Sequence, residues 1–121
     1  MGARILLADD LSFMRMVQKE ILSENGYQIV GEAANGLEAV KLYQKLRPDV
    51  VVLDITMPDM NGLEAMRRIL AFDAKARIII CSAIGQQNLI LEAIKAGIKD
   101  FIVKPFKPER LLTAIAKVLK E

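Results

Sequence analysis

Short apolar runs alternate with amphipathic segments five times along the chain. Four of these runs are nearly continuous in isoleucine, valine and leucine, which is typical of parallel strands covered on both faces. One run, the second, is more polar and suits a strand at the edge of the sheet. The runs span Arg4–Ala8, Gln28–Glu32, Val50–Leu53, Arg77–Cys81 and Asp100–Val103.

The segments between the runs carry start and stop signals of helices. We predict that Ser12 caps the first helix and that Asn25-Gly26 ends it in a left-handed turn. The alternation predicts one α/β domain over residues 1–121, a (βα)5 doubly wound open parallel sheet with helices on both faces. The remaining helix signals are Asn35-Gly36 at the start and Pro48 after the end of the second, Asn61-Gly62 at the start of the third, Gly97 at the end of the fourth and Pro108 in the first turn of the fifth.

The composition restricts where the protein works and what it binds. With 121 residues, 53% of them hydrophobic, the chain can build the core of one domain. Its apolar runs are too short for a transmembrane helix, and MGARILLADD reaches acidic residues too early for a signal peptide. We therefore expect a cytoplasmic protein without a membrane partner. A net charge of +2 gives no reason to expect nucleic-acid binding.

Histidine and cysteine usage narrows the possible chemistry. Histidine is absent, which excludes a His-based catalytic triad, a His-ligated metal and an internal phosphohistidine donor. The single cysteine, Cys81, cannot form an internal disulfide. Because it follows Ile78, Ile79 and Ile80, we interpret it as a small buried apolar residue and not as a reactive thiol.

Polar side chains collect where the predicted strands end. Asp9-Asp10 follows the first strand, Asp54 the third, Ser82 the fourth and Lys104-Pro105 the fifth. In open α/β sheets, ligands bind beyond the carboxyl ends of the strands. Three carboxylates, a hydroxyl and an ammonium are therefore expected to converge at one edge of the sheet.

Such a cluster of carboxylates needs a compensating positive charge. Two carboxylates about 4 Å apart repel by about 4 kcal/mol at an effective dielectric constant near 20, against a total domain stability of only about 5–15 kcal/mol. A hard divalent cation removes the repulsion, and Mg²⁺ prefers oxygen ligands and bridges to phosphate. The alternative is that each aspartate only caps the helix after its strand, a role that Asp9 alone could also have.

The sequence VVVLDITMPDMNG around Asp54 resembles the phospho-acceptor motif of response-regulator receiver domains. The resemblance covers the whole chain, since the paired acids, Cys-Ser-Ala and Lys-Pro-Phe also follow their strands in order. Three segments are similar to stand-alone chemotaxis receivers of the CheY type: Phe13-Met14-Arg15, Ser82–Gln87 and Ala93–Lys107. We take the flavodoxin-like strand order 2-1-3-4-5 from such folds, of which CheY is itself an example, and not from the pattern.

The resemblance implies a role for each acidic residue. Asp54 would be the nucleophile that attacks a phosphohistidine on a partner kinase and becomes an aspartyl phosphate. Asp10 and Asp54 would bind Mg²⁺ directly, Asp9 would act through water, and the backbone carbonyl of Thr56 would complete the protein ligands. The protein would then catalyse its own phosphorylation and dephosphorylation without being an enzyme in the ordinary sense.

The resemblance also implies which groups hold the phosphoryl oxygens. Lys104 would bind them together with the metal, and the hydroxyl of Ser82, where threonine is commoner in the family, would bind a third oxygen. The Lys104–Pro105 peptide bond is expected to be cis. Ser82, Phe101 and Pro105 would form the switch, although Phe101 can also be read as a fixed core residue of the fifth strand.

Two positions would set the lifetime of the phosphorylated state. In receivers, the residues two past the acceptor and two past the hydroxyl flank the approach of water, here Thr56 and Ile84. Because Ile84 is apolar and branched, it cannot orient a water molecule, and slow hydrolysis is expected.

The family presents the fourth helix, fifth strand and fifth helix to its partners. If Leu91, Ile94 and Ile98 face the core, Leu89 or Ile90 is left partly outside. From Lys95 onward the chain has seven basic and three acidic residues, which suits an acidic partner peptide, although a plain solvated face fits as well. The resemblance implies a monomer whose partners are a CheA-like histidine kinase, a flagellar motor switch protein and a phosphatase.

Other functions fit the sequence less well. A phosphatase of the haloacid dehalogenase type needs a second aspartate two residues after the nucleophile, where Thr56 stands. A flavodoxin-like cofactor binder needs a phosphate-binding loop where Asp9-Asp10 would repel phosphate. A phosphorelay intermediate or the receiver of a transcription regulator stays open, but the end at Glu121 directly after the fifth helix favours a stand-alone protein.

Overall fold

Five parallel strands form one sheet in the order β2-β1-β3-β4-β5. The structure is a computed structural model that describes residues 2–121. β1 lies between β2 and β3, and Ala8 pairs with Leu53 at the carboxyl end of the β1–β3 ladder. The predicted order and the edge position of the second strand are confirmed. The strands are β1 Arg4–Ala8, β2 Gln28–Ala33, β3 Val50–Asp54, β4 Ile78–Ala83 and β5 Asp100–Lys104.

A helix follows each strand, and the helices cover both faces of the sheet. β1, β3 and β4 are buried along nearly their whole length, which explains their continuous apolar sequence. One core cluster packs α2, α3 and α4 against the sheet, and the other packs α1 and α5 against its opposite face. The helices are α1 Ser12–Glu24, α2 Gly36–Leu46, α3 Gly62–Phe72, α4 Gln87–Ala96 and α5 Pro108–Leu119.

Most of the predicted helix boundaries are confirmed. Asn35 and Asn61 cap α2 and α3, because their side chains accept hydrogen bonds from the backbone N–H of Glu38 and Glu64. Gly97 ends α4 in the left-handed region with φ of 109°. The prediction for Ser12 is wrong: it is the first residue of α1, Leu11 is the N-cap, and no side chain caps the helix.

The predicted orientation of α4 is wrong for Leu91 and Ile94, although Leu89 is partly exposed as expected. Ile90 is 7% exposed and Ala93 is fully buried, whereas Leu91 and Ile94 are 55% and 48% exposed. Three consecutive large apolar residues offer two possible inward faces, and the small Ala93 lets the helix approach the sheet along one of them. Ile98, just after the helix, does pack against the core as predicted.

Two further expectations concern Cys81 and membrane-spanning helices. Cys81 is 1% exposed, and burial raises the pKa of its thiol to about 12. It therefore stays protonated at neutral pH, as expected of an unreactive buried residue. Across residues 2–121, no helix combines the length and the apolar character that crossing a membrane requires.

Candidate functional site

The predicted polar residues meet at the carboxyl edge of the sheet. Asp54 and Lys104 are the last residues of β3 and β5, Ser82 is the penultimate residue of β4, and Asp9 directly follows β1. The strands thus extend further toward the site than the sequence indicated. Hydrogen-bonded strands hold Asp54, Ser82 and Lys104, whereas Asp9 lies in the turn directly after β1.

The acidic residues form one cluster. Asp9, Asp10 and Asp54 each offer a carboxylate oxygen, and these oxygens lie within 4.8 Å of one another. The ammonium of Lys104 reaches into the cluster, with its Nζ 2.7 Å from Oδ2 of Asp9 and 3.4 Å from Oδ1 of Asp54. One ammonium among three carboxylates leaves a local excess of negative charge at this edge.

Asp9 is held from three sides. Its Oδ1 accepts a hydrogen bond of 2.9 Å from the backbone N–H of Leu11, and its Oδ2 accepts from Lys104. Arg15 of α1 donates to the backbone carbonyl of Asp9 and also pairs with Glu32 at 3.1 Å. The side chain of Asp9 thus stabilises the turn before α1, which is part of the local role that the sequence left open. Arg15 was missed, because nothing in the pattern links α1 to the end of β2.

Burial controls the protonation of Asp54. The residue is 8% exposed, and this burial raises its pKa to about 6, against the lowering effect of Lys104 and with a further increase from Asp9. Burial lowers the pKa of Lys104, but its hydrogen bond to Asp9 and the charge of Asp54 outweigh this, and the pKa is raised overall. The nearby charge of Asp10, which is exposed, also raises the pKa of Asp54, although less than burial does.

The negative charge on Asp54 should lower the free energy of unfolding when no metal is bound. The folded pKa of about 6 exceeds the ordinary value of 3.8, so the folded state binds this proton more tightly than the unfolded state. The free energy of unfolding should therefore fall as pH rises from about 4 to 7, by about 2–3 kcal/mol. In urea unfolding with a chelator, Asp54→Asn should be more stable than the wild type by an amount that grows between pH 5 and 8. A difference that stays constant over this range would contradict the burial argument.

Ser82 and Thr56 differ in how their hydroxyls are paired. The Oγ of Ser82 is buried and has no hydrogen-bond partner. Thr56 is exposed, and its Oγ1 accepts a hydrogen bond of 3.1 Å from Nε2 of Gln86. Oε1 of the same glutamine accepts one of 2.7 Å from the backbone N–H of Ala83. Gln86 was not predicted as a site residue, because its contacts depend on how the segment after β4 meets the loop after β3.

The remaining predicted residues lie around this edge. Phe101 is half-buried and packs against the core cluster of α2, α3 and α4, and the Lys104–Pro105 bond is cis as expected. Ile84 is 76% exposed in the loop after β4. Phe101 and Pro105 also line a surface groove of about 600 Å³, together with Val103, Phe106, Lys107, Glu109 and Arg110.

The donor set fits a hard divalent cation. Carboxylate oxygens are the ligands that Mg²⁺ prefers, and three of them converge here from two neighbouring strands. Both oxygens of Asp9 already accept hydrogen bonds, whereas Asp10 is exposed and can turn toward a cation. The three aspartates thus offer the kind of oxygen ligand that a hard divalent cation prefers.

The sequence and the fold place the protein in a known family. Residues 5–116 match the response regulator receiver domain, and the chain belongs to this family of signalling proteins. The match decides against the phosphatase and flavodoxin-like alternatives. Receiver domains bind Mg²⁺ at an acidic pocket, and Asp9, Asp10 and Asp54 form an acidic cluster in this structure.

Individual relatives are similar over nearly their full length. The chain is 56% identical over 120 residues to the chemotaxis protein CheY of Thermotoga maritima, covering 99% of this chain and 100% of the other. It is 55% identical over 119 residues to the chemotaxis protein CheY of Bacillus subtilis, covering 98% and 99%.

Solved structures share the fold. The response regulator domain of Thermotoga maritima CheB superposes with a TM-score of 0.92 at 35% identity, covering 100% of this chain and 98% of the other. The CheX–CheY–BeF3–Mg²⁺ complex of Borrelia burgdorferi gives a TM-score of 0.92 at 36% identity, covering 96% and 88%.

Proposed function

We propose that this receiver takes a phosphoryl group onto Asp54 from a phosphohistidine of a partner histidine kinase, with Mg²⁺ bound beside it. The observation that carries the proposal is the position of Asp54, a nearly buried carboxylate between two further carboxylates and the ammonium of Lys104. The carboxylate is poised at the edge where ligands of open α/β sheets bind.

In the proposed transfer, an oxygen of Asp54 forms a bond to phosphorus while the bond between phosphorus and the imidazole nitrogen of the donor breaks. The electron pair leaves with the imidazole, which takes a proton. Such a transfer depends on alignment and charge neutralisation more than on covalent chemistry. A small donor such as acetyl phosphate undergoes the same exchange, with acetate as the leaving group.

Each residue around Asp54 has a part in this proposal. Lys104 stands 3.4 Å from Oδ1 of Asp54 and holds a phosphoryl oxygen. The unpaired hydroxyl of Ser82 gains a partner when a phosphoryl oxygen arrives. Asp10, Asp54 and the backbone carbonyl of Thr56 would hold Mg²⁺, and Asp9 would act through water. The metal would supply positive charge for the phosphoryl oxygens.

Two experiments test the class and the pathway. Incubation with Mg²⁺ and acetyl phosphate should add one phosphoryl group, and mass spectrometry of peptides should locate it on Asp54. A pull-down with a flagellar switch protein, with and without phosphodonor, tests the output. Absence of any label in the presence of Mg²⁺ would reject the receiver chemistry.

We further propose that the output is control of the flagellar motor in chemotaxis, in the cytoplasm, by a monomer that consists of one domain. Support comes from the two relatives named chemotaxis protein CheY. The face of α4, β5 and α5 exposes Leu91, Ile94 and Val103, and basic residues surround it. Such a face suits a partner segment with both apolar and acidic side chains. We also propose a phosphatase partner; the CheX–CheY–BeF3–Mg²⁺ complex of Borrelia burgdorferi shows that a similar receiver binds a second protein.

The lifetime of the phosphorylated state should depend on Ile84. Its exposed side chain stands in the loop after Ser82, so it can screen water from the phosphoryl group without contributing to the core. Ile84→Asn should speed hydrolysis by up to about tenfold, because one reoriented water lowers the barrier by about 1.4 kcal/mol. The measurement is decay of the phosphorylated form after donor removal, with Leu91→Asn, at another exposed apolar residue, as the control. Equal or slower decay in Ile84→Asn would show that Ile84 does not gate the water.

A further inference from the structure

The guanidinium of Arg15 links α1 to two strand ends beside the acid cluster. Its Nε donates a hydrogen bond of 3.1 Å to Oε1 of Glu32, the penultimate residue of β2. Its Nη1 donates a second hydrogen bond to the backbone carbonyl of Asp9, in the turn directly after β1. We call these two hydrogen bonds the Arg15 fork. The side chain of Arg15 is only 17% exposed, so most of its length is packed against the protein.

The carbonyl that Arg15 holds belongs to the peptide group between Asp9 and Asp10. The N–H of Asp9 bonds to the carbonyl of Ala33 at 3.0 Å, and the side chain of Asp9 bonds to the N–H of Leu11. These contacts hold Asp9 itself. Within residues 2–121, Arg15 is the one donor to the Asp9 carbonyl. The Arg15 fork therefore adds a restraint on the plane of the Asp9–Asp10 peptide group.

Asp10 depends on that peptide group for its position. It lies between β1 and α1 with an exposed side chain, and no hydrogen bond within residues 2–121 involves it. Its carboxylate nevertheless offers an oxygen within 4.8 Å of oxygens of Asp9 and Asp54. Because Mg²⁺ requires nearly ideal octahedral geometry, a rotation of the peptide group that leads into Asp10 would displace this oxygen from a ligand position.

A plain ion pair is the alternative role for Arg15. Lys19, one turn further along α1, also pairs with Glu32, with its Nζ 3.5 Å from Oε2, and exposed pairs of this kind contribute little to stability. The two roles predict opposite effects on a bound cation. A positive charge near the cluster repels Mg²⁺, so its removal would strengthen Mg²⁺ binding. Loss of a restraint on a ligand would weaken it.

We propose that Arg15 is a positioning residue that fixes the Asp9–Asp10 peptide group and thereby orients the carboxylate of Asp10 for Mg²⁺. This inference rests on the proposed function, because it assumes that Mg²⁺ binds at Asp10 and Asp54. The restraint on Asp10 outweighs the repulsion between the Arg15 cation and the metal. Arg15 itself contacts neither the metal nor the phosphoryl group.

The first test compares Mg²⁺ affinities, measured by titration calorimetry without phosphodonor. Arg15→Met should weaken Mg²⁺ binding about tenfold, the lower end of the effect usual for residues that orient metal ligands. Lys19→Met is the matched control, because it removes the same charge from the same helix and the same partner, Glu32. Its Mg²⁺ affinity should stay within about twofold of the wild type.

Arg15→Lys separates position from charge. It keeps the positive charge, but one ammonium on a shorter side chain lacks the planar array of donors that reaches Glu32 and Asp9 together. Its Mg²⁺ affinity should fall about threefold. The variant should stay folded, which urea unfolding checks, because the substitution only shortens a side chain at the surface.

Labelling kinetics show whether Arg15 acts only through the metal. In Arg15→Met, the Mg²⁺ concentration for half-maximal labelling from acetyl phosphate should rise about tenfold, while the rate at saturating Mg²⁺ stays within about twofold of the wild type. A general loss of structure would lower the saturated rate instead.

Four results would each overturn the inference. They are Mg²⁺ binding by Arg15→Met that is as tight as in the wild type or tighter, an equal weakening in Lys19→Met, wild-type affinity in Arg15→Lys, and a reduced labelling rate of Arg15→Met at saturating Mg²⁺. A wild-type protein that binds no Mg²⁺ would instead overturn the proposed function and this inference with it.

Discussion

Asp54→Asn should take no label from acetyl phosphate in the presence of Mg²⁺. The amide that replaces the carboxylate has no charged oxygen to attack phosphorus, and none of the neighbouring acids can take its place. Asp9 is tied to Lys104 and to the backbone of Leu11, and Asp10 is exposed outside the sheet. The loss should be complete within detection, measured by mass spectrometry of the intact protein and its peptides.

Two further variants make this result specific. Asp59→Asn is the matched control, because Asp59 is an exposed acid of the same β3–α3 loop. Its φ is 66°, a conformation that asparagine also tolerates. The Asp59→Asn variant should label normally. Lys104→Ala should still take label but bind the output partner poorly, since Asp54 keeps its nucleophilic oxygen and only the group that reads the phosphoryl charge is lost. Normal labelling of Asp54→Asn would show that the nucleophile is wrongly assigned.

The fold could be predicted because its signals are local. Strands buried on both faces have to be apolar throughout, and Val50–Asp54 shows this directly. Asn61 followed by Gly62 marked a helix start that the structure confirms through the hydrogen bond to Glu64. The edge position of the second strand followed from its mixed polarity. The strand order, in contrast, came from a resemblance, because no local pattern specifies which strands are neighbours.

The site could be predicted only in part, for the same reason. Asp54, Ser82 and Lys104 were placed correctly because they end predicted strands, and strand ends meet at one edge. The contacts of Gln86 with Thr56 and Ala83, and of Arg15 with Asp9, depend on how segments distant in the chain meet in space. The prediction of the inward face of α4 was wrong. Two faces of this helix are almost equally apolar in the sequence, and only tertiary packing determines which of them contacts the sheet. Ser12 failed as a cap because the side chain of Asp9 already organises that turn.

The backbone beside Asp54 depends on Gly62, the first residue of α3. A Cβ at this position would lie 2.1 Å from the carbonyl oxygen of Asp54 and 2.9 Å from its carbonyl carbon. The N–H of Gly62 also donates a hydrogen bond of 2.7 Å to the carbonyl of Ile55. The start of α3 thus packs directly on the backbone that carries the acceptor, and neither partner can move without shifting β3.

Gly62→Ala should therefore lower the free energy of unfolding by about 3 kcal/mol, which is large for one added methyl group in a packed region. Gly36→Ala is the matched control, since its Cβ would lie 2.1 Å from the carbonyl oxygen of Met60, an equal clash away from the acceptor. Urea unfolding should show similar losses for both variants. Only Gly62→Ala should also slow labelling per folded molecule, because only there does the strain fall on the backbone of Asp54. A stable Gly62→Ala, or equal slowing in Gly36→Ala, would show that close packing at Gly62 does not position the acceptor.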